Sequence, residues 1–263
     1  MKSRPYVGIT GPTSPDEVSD LITAFHDAGY CMETPHIPML GFLVSHKTLN
    51  ESLTPNQRYP RIWLLPSLLQ EAGPGVLRMI HYNSKETDTL AEQVAKLFRE
   101  LYDPGLCRAL QLNIVWPPVT QVKQIKEQFP EMEIVFQASR RTFEGQSPQE
   151  FAKRVKDYRD AINYVLLDPS GGSGQEFDLP RSVALYSELK DQMPQITLGF
   201  AGGLTGDNVA EKAARIQKQT RDHDFSIDAE GGLRDKISAT YGDDLLNIKK
   251  CRHYLKSAFT VMK

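Results

Sequence analysis

The chain has 263 residues, 40% of them hydrophobic and 24% charged, with a formal net charge of −2 at pH 7. Its length is close to the roughly 250 residues of one α/β barrel and does not demand two domains. The balance is apolar enough for a substantial core and too charged for an integral membrane protein; a sequence pI of about 6.3 gives no global electrostatic reason to bind nucleic acid.

In chain order, Pro5-Tyr-Val-Gly-Ile-Thr10 reads as a first short strand. Ser14-Pro15-Asp16-Glu17 supplies an N-cap, a proline at the first helical position and a capping-box acid. Val18, Leu21, Ile22 and Phe25 follow at helical spacing, and Gly29 ends the helix. A second strand is best placed at Met39–Val44. Residues 46–75 are the least legible stretch: Pro55, Pro60, Pro66 and Pro74 argue for an irregular insertion with a short helix near Ser67–Ala72, and Arg61–Leu65 as a brief extended piece. Val76–Tyr82 is the third strand, and the helix after it carries Leu90, Val94, Leu97, Phe98 and Leu101 on one stripe.

Leu110–Val115 is strand-like and precedes a helix bearing Val122, Ile125 and Phe129; Glu133–Ala138 is the next strand. A second capping box, Ser147-Pro148-Gln149-Glu150, opens a helix with Phe151, Val155 and Tyr158 inward. Tyr164, Val165, Leu166 and Leu167 read as a strand buried on both faces, followed by a helix over roughly 181–192. Gln195–Phe200 leads to a helix through 207–219, and Phe225–Asp228 to a last helix from about Asp244 to Ala258, with Leu245, Ile248, Tyr254 and Leu255 inward. Eight β–α units imply a parallel sheet with right-handed crossovers and favour closure into a single (β/α)8 TIM barrel; a doubly wound open sheet is the alternative.

The apolar run of 164–167 ends abruptly in Asp168, and Gly171-Gly172-Ser173-Gly174 follows at once. A carboxylate at the end of a buried strand has little structural reason to be there, and glycines let backbone N–H groups approach a phosphate closely. Gly202-Gly203 and Gly231-Gly232 follow strands seven and eight, where barrels of this kind commonly hold phosphate. Each pair alone is equally well a tight turn; three clusters after consecutive strands point to an anion site.

Asp168-x-x-Gly171-Gly172-Ser173-Gly174-x-x-Phe177-Asp178, then Ala201-Gly202-Gly203-Leu204 with Asn208-Val209, resemble phosphoribosylanthranilate isomerase. Asp228-Ala-Glu-Gly-Gly232 fits the equivalent segment more loosely; upstream, Val7-Gly-Ile-Thr10-Gly11-Pro-Thr13, Gly41-Phe42 and Gln111-Leu112-Asn113 sit where family motifs would. The resemblance implies a barrel that catalyses an Amadori rearrangement of an aminoaldose phosphate, with an Asp as general acid and a Cys as general base. It puts Asp168 at the acid and Thr10 at the base, Asn113 at the family's usual His, and Asn50 or a neighbour at the substrate-clamping Arg. A threonine hydroxyl is far too weak an acid to provide a resting base.

Replacement bases by position are His81, near the end of strand three, and Glu230, in the strand-eight loop; His46 and Cys31 are weaker. The bland alternatives are a satisfied structural histidine and a solvated loop carboxylate. Arg140 and Arg141 after strand five would meet an anionic substrate, or form a solvated pair. Cys31, Cys107 and Cys251 include no CxxC pair, and no HxH or HExxH occurs, so neither disulfides nor a metal site is expected and no cofactor is implied. The first 30 residues lack a signal-peptide h-region and no apolar run approaches a membrane span of about 18 residues, so a soluble cytoplasmic protein is expected. The functional expectations are an aldose–ketose isomerase acting on a phosphorylated small molecule, a non-catalytic phosphosugar or nucleotide sensor, or another phosphate-binding barrel lyase or synthase.

Overall fold

The structure is a computed structural model that describes residues 2–52, 57–169, 179–240 and 242–263. Eight parallel strands, Tyr6–Thr10 (β1), Ile37–Ser45 (β2), Leu77–Asn83 (β3), Ala109–Leu112 (β4), Glu133–Ser139 (β5), Tyr164–Asp168 (β6), Thr197–Ala201 (β7) and Ser226–Ala229 (β8), close into a barrel in sequence order. The closing seam pairs Val7 with Ile227, Gly8 with Asp228 and Ile9 with Ala229, which excludes the open-sheet alternative. The chain is a (β/α)8 barrel.

The main helices are Pro15–Ala28 (α1), Leu65–Ala72 (α2), Leu90–Phe98 (α3), Val119–Gln128 (α4), Pro148–Val155 (α5), Leu179–Gln192 (α6), Val209–Thr220 (α7) and Ile248–Met262 (α8). Local chemistry sets several of their ends. The Ser14 hydroxyl accepts from the Glu17 N–H at 3.3 Å, Pro15 opens α1, and Gly29 closes it with φ 96°. Ser147 and Glu150 form a reciprocal capping box on α5. Among the described residues no helix is long and apolar enough to cross a membrane.

Strand alternation divides the core in two. One set of side chains, including Val7, Ile9, Leu40, Phe42, Ile80 and Tyr82, packs outward against helix residues such as Val18, Leu21, Phe25 and Val94. The other fills the barrel with Tyr6, Ile37, Met39, Met79, Ala109, Val135, Tyr164 and Leu166. One pleat period towards the carboxyl ends the inward positions turn polar: Met79 gives way to His81, Ala109 to Gln111, Val135 to Gln137, and Leu166 to Asp168. The floor is hydrocarbon and the mouth is hydrogen-bonding.

Two stretches differ from the sequence reading. Residues 46–75 hold more helix than expected: one turn at His46–Leu49, a 3-10 turn at Ile62–Leu64 in place of the extended piece, then α2. Pro66 lies in the first turn of α2, where its missing N–H costs nothing, so the helix starts at Leu65 and buries Leu65, Leu68, Leu69 and Ala72. Residues 53–56 lie outside the described residues. At the other end, Asp244–Leu246 (β10) is a strand paired antiparallel with Arg234–Lys236 (β9), and not the start of a helix. Leu245 is 46% exposed, not inward. The Asn247 side chain caps the helix by accepting from the Lys250 N–H at 3.1 Å, so the helix begins at Ile248.

Candidate active site at the carboxyl end of the barrel

The polar side chains of the mouth lie near or just past the carboxyl ends of β3, β4, β5, β6 and β8, so five strands bring them to one pocket. The pocket there is lined by His81, Gln111, Asn113, Gln137, Asp168, Ala201, Gly202, Gly203, Asp228, Glu230, Gly231 and Gly232. Asp168, His81, Asn113, Glu230 and both later glycine pairs, all singled out from sequence, therefore share one wall. Thr10 lies behind it, fully buried, and donates its hydroxyl to Asp228 at 3.1 and 3.2 Å. Gly171, Gly172, Ser173 and Gly174 lie outside the described residues. Arg140 is absent from the pocket lining; its exposed side chain pairs with Glu144 one turn on, at 3.8 Å.

Carboxylates dominate the electrostatics. Asp168 is 4% exposed and accepts from Gln137 Nε2 at 2.7 Å. Burial, reinforced by the charges of Glu230 and Asp168, pushes the Asp228 carboxyl up to about 7, against the lowering effect of the Thr10 hydrogen bond. Burial also raises the Glu230 carboxyl, opposed by the charges of Arg58 and Arg234. At His81 burial pushes the imidazole down to about 3, so the ring is neutral at physiological pH and a poor proton acceptor. Among the described residues, no group of three or more His, Cys, Asp or Glu side chains is arranged to hold a metal ion.

Several residues that hold this mouth together escape a reading of the sequence. Arg58, from the insertion, is 6% exposed. It donates Nη1 to Glu230 at 2.8 Å and Nη2 to Asp244 at 2.6 Å, with Nε 3.0 Å from each Asp244 oxygen. Arg234 meets the same carboxylate through Nε and reaches Gly11 O at 3.1 Å and Gln57 O at 2.6 Å. Burial would raise the Asp244 carboxyl, but hydrogen bonds from Arg58 and Arg234 hold it below its ordinary range. Asp228 did carry a signal, since it too is an acid ending an apolar strand. Arg58 carried none: it stands in a proline-rich stretch without periodicity.

The loops after β7 and β8 meet backbone to backbone. A Cβ on Gly232 would overlap the Leu204 carbonyl oxygen and fall 2.9 Å from Thr205 Cγ2, so only glycine fits there. Asn208 braces the first of these loops, donating Nδ2 to Gly203 O and accepting from the Thr205 N–H, both at 2.9 Å. The two glycine pairs thus form one surface beside the carboxylates.

No family model matches the chain. An N-(5'-phosphoribosyl)anthranilate isomerase of Chlorobium chlorochromatii (strain CaD3) is 26% identical over 200 residues, 74% of this chain and 80% of that protein. A phosphoribosyl anthranilate isomerase solved in complex with reduced 1-(o-carboxyphenylamino)-1-deoxyribulose 5-phosphate matches at a TM-score of 0.60, with 17% identity over 97% of this chain and 98% of that one. The tryptophan synthase α subunit of Legionella pneumophila str. Paris reaches the same TM-score, 0.60, at 12% identity over 98% of this chain and 92% of that one. The structural likeness shows the fold alone; the sequence likeness singles out one enzyme type among the proteins that share it.

Proposed function

We propose that this phosphoribosylanthranilate isomerase-like barrel is an aldose–ketose isomerase for a phosphorylated aminosugar, with Asp168 as its acid and Asp228 as the base that Thr10 cannot be. The observation that carries the reading is the placement of Asp228: a buried carboxyl lining the same pocket as Asp168, with the Thr10 hydroxyl fixed on it and burial raising it to about 7. A proton acceptor poised near neutrality is what abstraction next to an imine requires. His81 is too weak a base, and Glu230 is engaged by Arg58.

In this scheme Asp168 gives its proton to the sugar ring oxygen, and the amine nitrogen lone pair opens the ring to an iminium at C1. Asp228 takes the C2 proton, and the C–H electron pair forms the C1–C2 double bond of an enolamine while the iminium electrons return to nitrogen. Asp228 then returns its proton to C1 as the C2 hydroxyl proton passes to Asp168 and leaves a ketone. Both carboxyl groups end as they began. Gly202-Gly203 and Gly231-Gly232, with the 171–174 segment, would hold the phosphate through backbone N–H groups.

The test is loss of phosphoribosylanthranilate fluorescence on purified protein, beside Asp168→Asn and Asp228→Asn. Turnover abolished in both variants, with phosphate-ligand binding kept, is the expected result. A second reading, a non-catalytic phosphosugar sensor, is favoured by the threonine at the usual base position. It would be supported by inorganic phosphate raising the melting temperature without turnover. If neither effect occurs, the anion site itself is wrong.

A further inference from the structure

Two polar atoms in the mouth are buried without a partner among the described residues: His81 Nε2 and Gln111 Oε1. Their residues are 2% and 1% exposed, and both line the pocket. They sit directly opposite each other in the β3–β4 register. Gln111 Nε2 faces His81 Nδ1 at 3.2 Å and donates to Asn113 Oδ1 at 2.9 Å, which spends the amide's nitrogen and leaves its oxygen open. An Nδ1 that accepts from that amide puts the ring proton on Nε2, so the open ring atom is a donor.

A Cβ on Gly41 would lie 2.7 Å from His81 Nε2 and would also overlap Thr10 Oγ1, so a glycine there is what lets the ring take this position. Leaving buried donors and acceptors unmatched is costly, and the apolar layer just below shows that hydrocarbon would fill these positions.

We propose that His81 Nε2–H and Gln111 Oε1 form a hydroxyl-reading pair, the ring donating to one sugar hydroxyl oxygen of a phosphorylated ligand and the amide accepting from another. A polyol offers hydroxyls that accept as well as donate and so can meet both atoms, whereas a phosphate ester oxygen only accepts. Burial keeps the ring uncharged, so it offers directed hydrogen bonding and no general attraction for anions. The subsite deepens the phosphosugar reading above and rests on it for the ligand class.

The test is calorimetric titration of the 263-residue protein with D-ribulose 5-phosphate and, separately, inorganic phosphate. The wild type is expected to bind the sugar phosphate more tightly than phosphate. His81→Leu and Gln111→Met should each weaken the sugar phosphate roughly tenfold, the worth of a buried hydrogen bond. Both should leave phosphate affinity unchanged and the melting temperature equal or higher, since a structural pair would instead lose stability. Unchanged sugar-phosphate affinity, equal loss for both ligands, or a lowered melting temperature each overturns the subsite. So does a wild type that binds phosphate and gains nothing from the sugar, which leaves the anion site standing. Binding of neither ligand removes both readings. A sugar gain without turnover keeps the subsite and rejects only the isomerase. Should a variant fail to fold, nitrogen-15 NMR of the wild-type ring decides: a proton on Nε2, with a shift change on adding ribulose 5-phosphate, is expected, and a proton on Nδ1 refutes it.

Discussion

Thr10 and Asp228 meet across the seam that closes the barrel, the hydroxyl of β1 lying 3.1 and 3.2 Å from the two carboxylate oxygens of β8. The contact joins the first strand to the last and lowers a carboxyl that burial raises. Thr10→Val keeps the volume and removes the donor. It should destabilise the protein by about 1–3 kcal/mol at pH 8, where Asp228 is ionised and would lose a charge-assisted bond, and by less at pH 5. Urea denaturation at the two pH values checks this. In an Asp228→Asn background the same change should cost less.

Asp228 and His81 have opposite linkages to pH. The folded Asp228 titrates near 7 against an ordinary 3.8, so its contribution is complete below about pH 3.8 and is lost as pH rises towards 7. The folded His81 titrates near 3 against 6.5, so its contribution is complete above about pH 6.5 and is lost as pH falls towards 3. Between about pH 4 and 6 the native state holds one proton the unfolded chain lacks and lacks one the unfolded chain holds; the two effects offset each other. Asp228→Asn should therefore unmask stability that rises with pH, and His81→Leu stability that falls, each by about 1.4 kcal/mol per unit. Slopes of equal sign in the two variants would contradict this account.

Arg58 holds two carboxylates from different elements, Glu230 and Asp244. Removing one member of a buried ionic cluster leaves the other charges uncompensated, so Arg58→Ala should cost on the order of 3 kcal/mol. For a chain of this size that lowers the melting temperature by about 6 °C or more. Arg58→Lys should rescue little, because one ammonium cannot span both carboxylates. Calorimetric scans of the two variants decide the matter.

Gly232→Ala should separate the loops after β7 and β8, since the new methyl meets the Leu204 carbonyl. The expected result is loss of inorganic-phosphate binding by more than about tenfold with a modest fall in melting temperature. Gly75→Ala is the control. Nothing lies within 4 Å of a Cβ there, so it should be neutral in binding and stability.

The fold was legible because strands buried on both faces and one-sided helices carry different periods, and eight alternations leave few ways to close. Asp168 stands out as an acid ending an apolar strand; Asp228 carries a weaker form of that signature, because Ser226 interrupts the apolar run of Phe225-Ser-Ile-Asp228. Leu245 and Ile248 mimicked helical spacing over a short strand, because three residues are too few to reveal a period of two. Arg58 and Arg234 were beyond reach, for their roles are set by tertiary pairing and not by local pattern.

The cluster at the rim also bears on how this barrel can be altered. Arg58 and Asp244 stand 186 positions apart, yet together with Arg234 they weld the insertion after β2 to the β9–β10 hairpin. Loop exchange is the usual route by which such barrels acquire new chemistry, each loop being treated as a separate cassette. Here two cassettes form one inheritable unit: transplanting residues 46–75 alone would carry Arg58 away from both of its carboxylates, and only a double transplant that brings Glu230 and the hairpin would keep the cluster together.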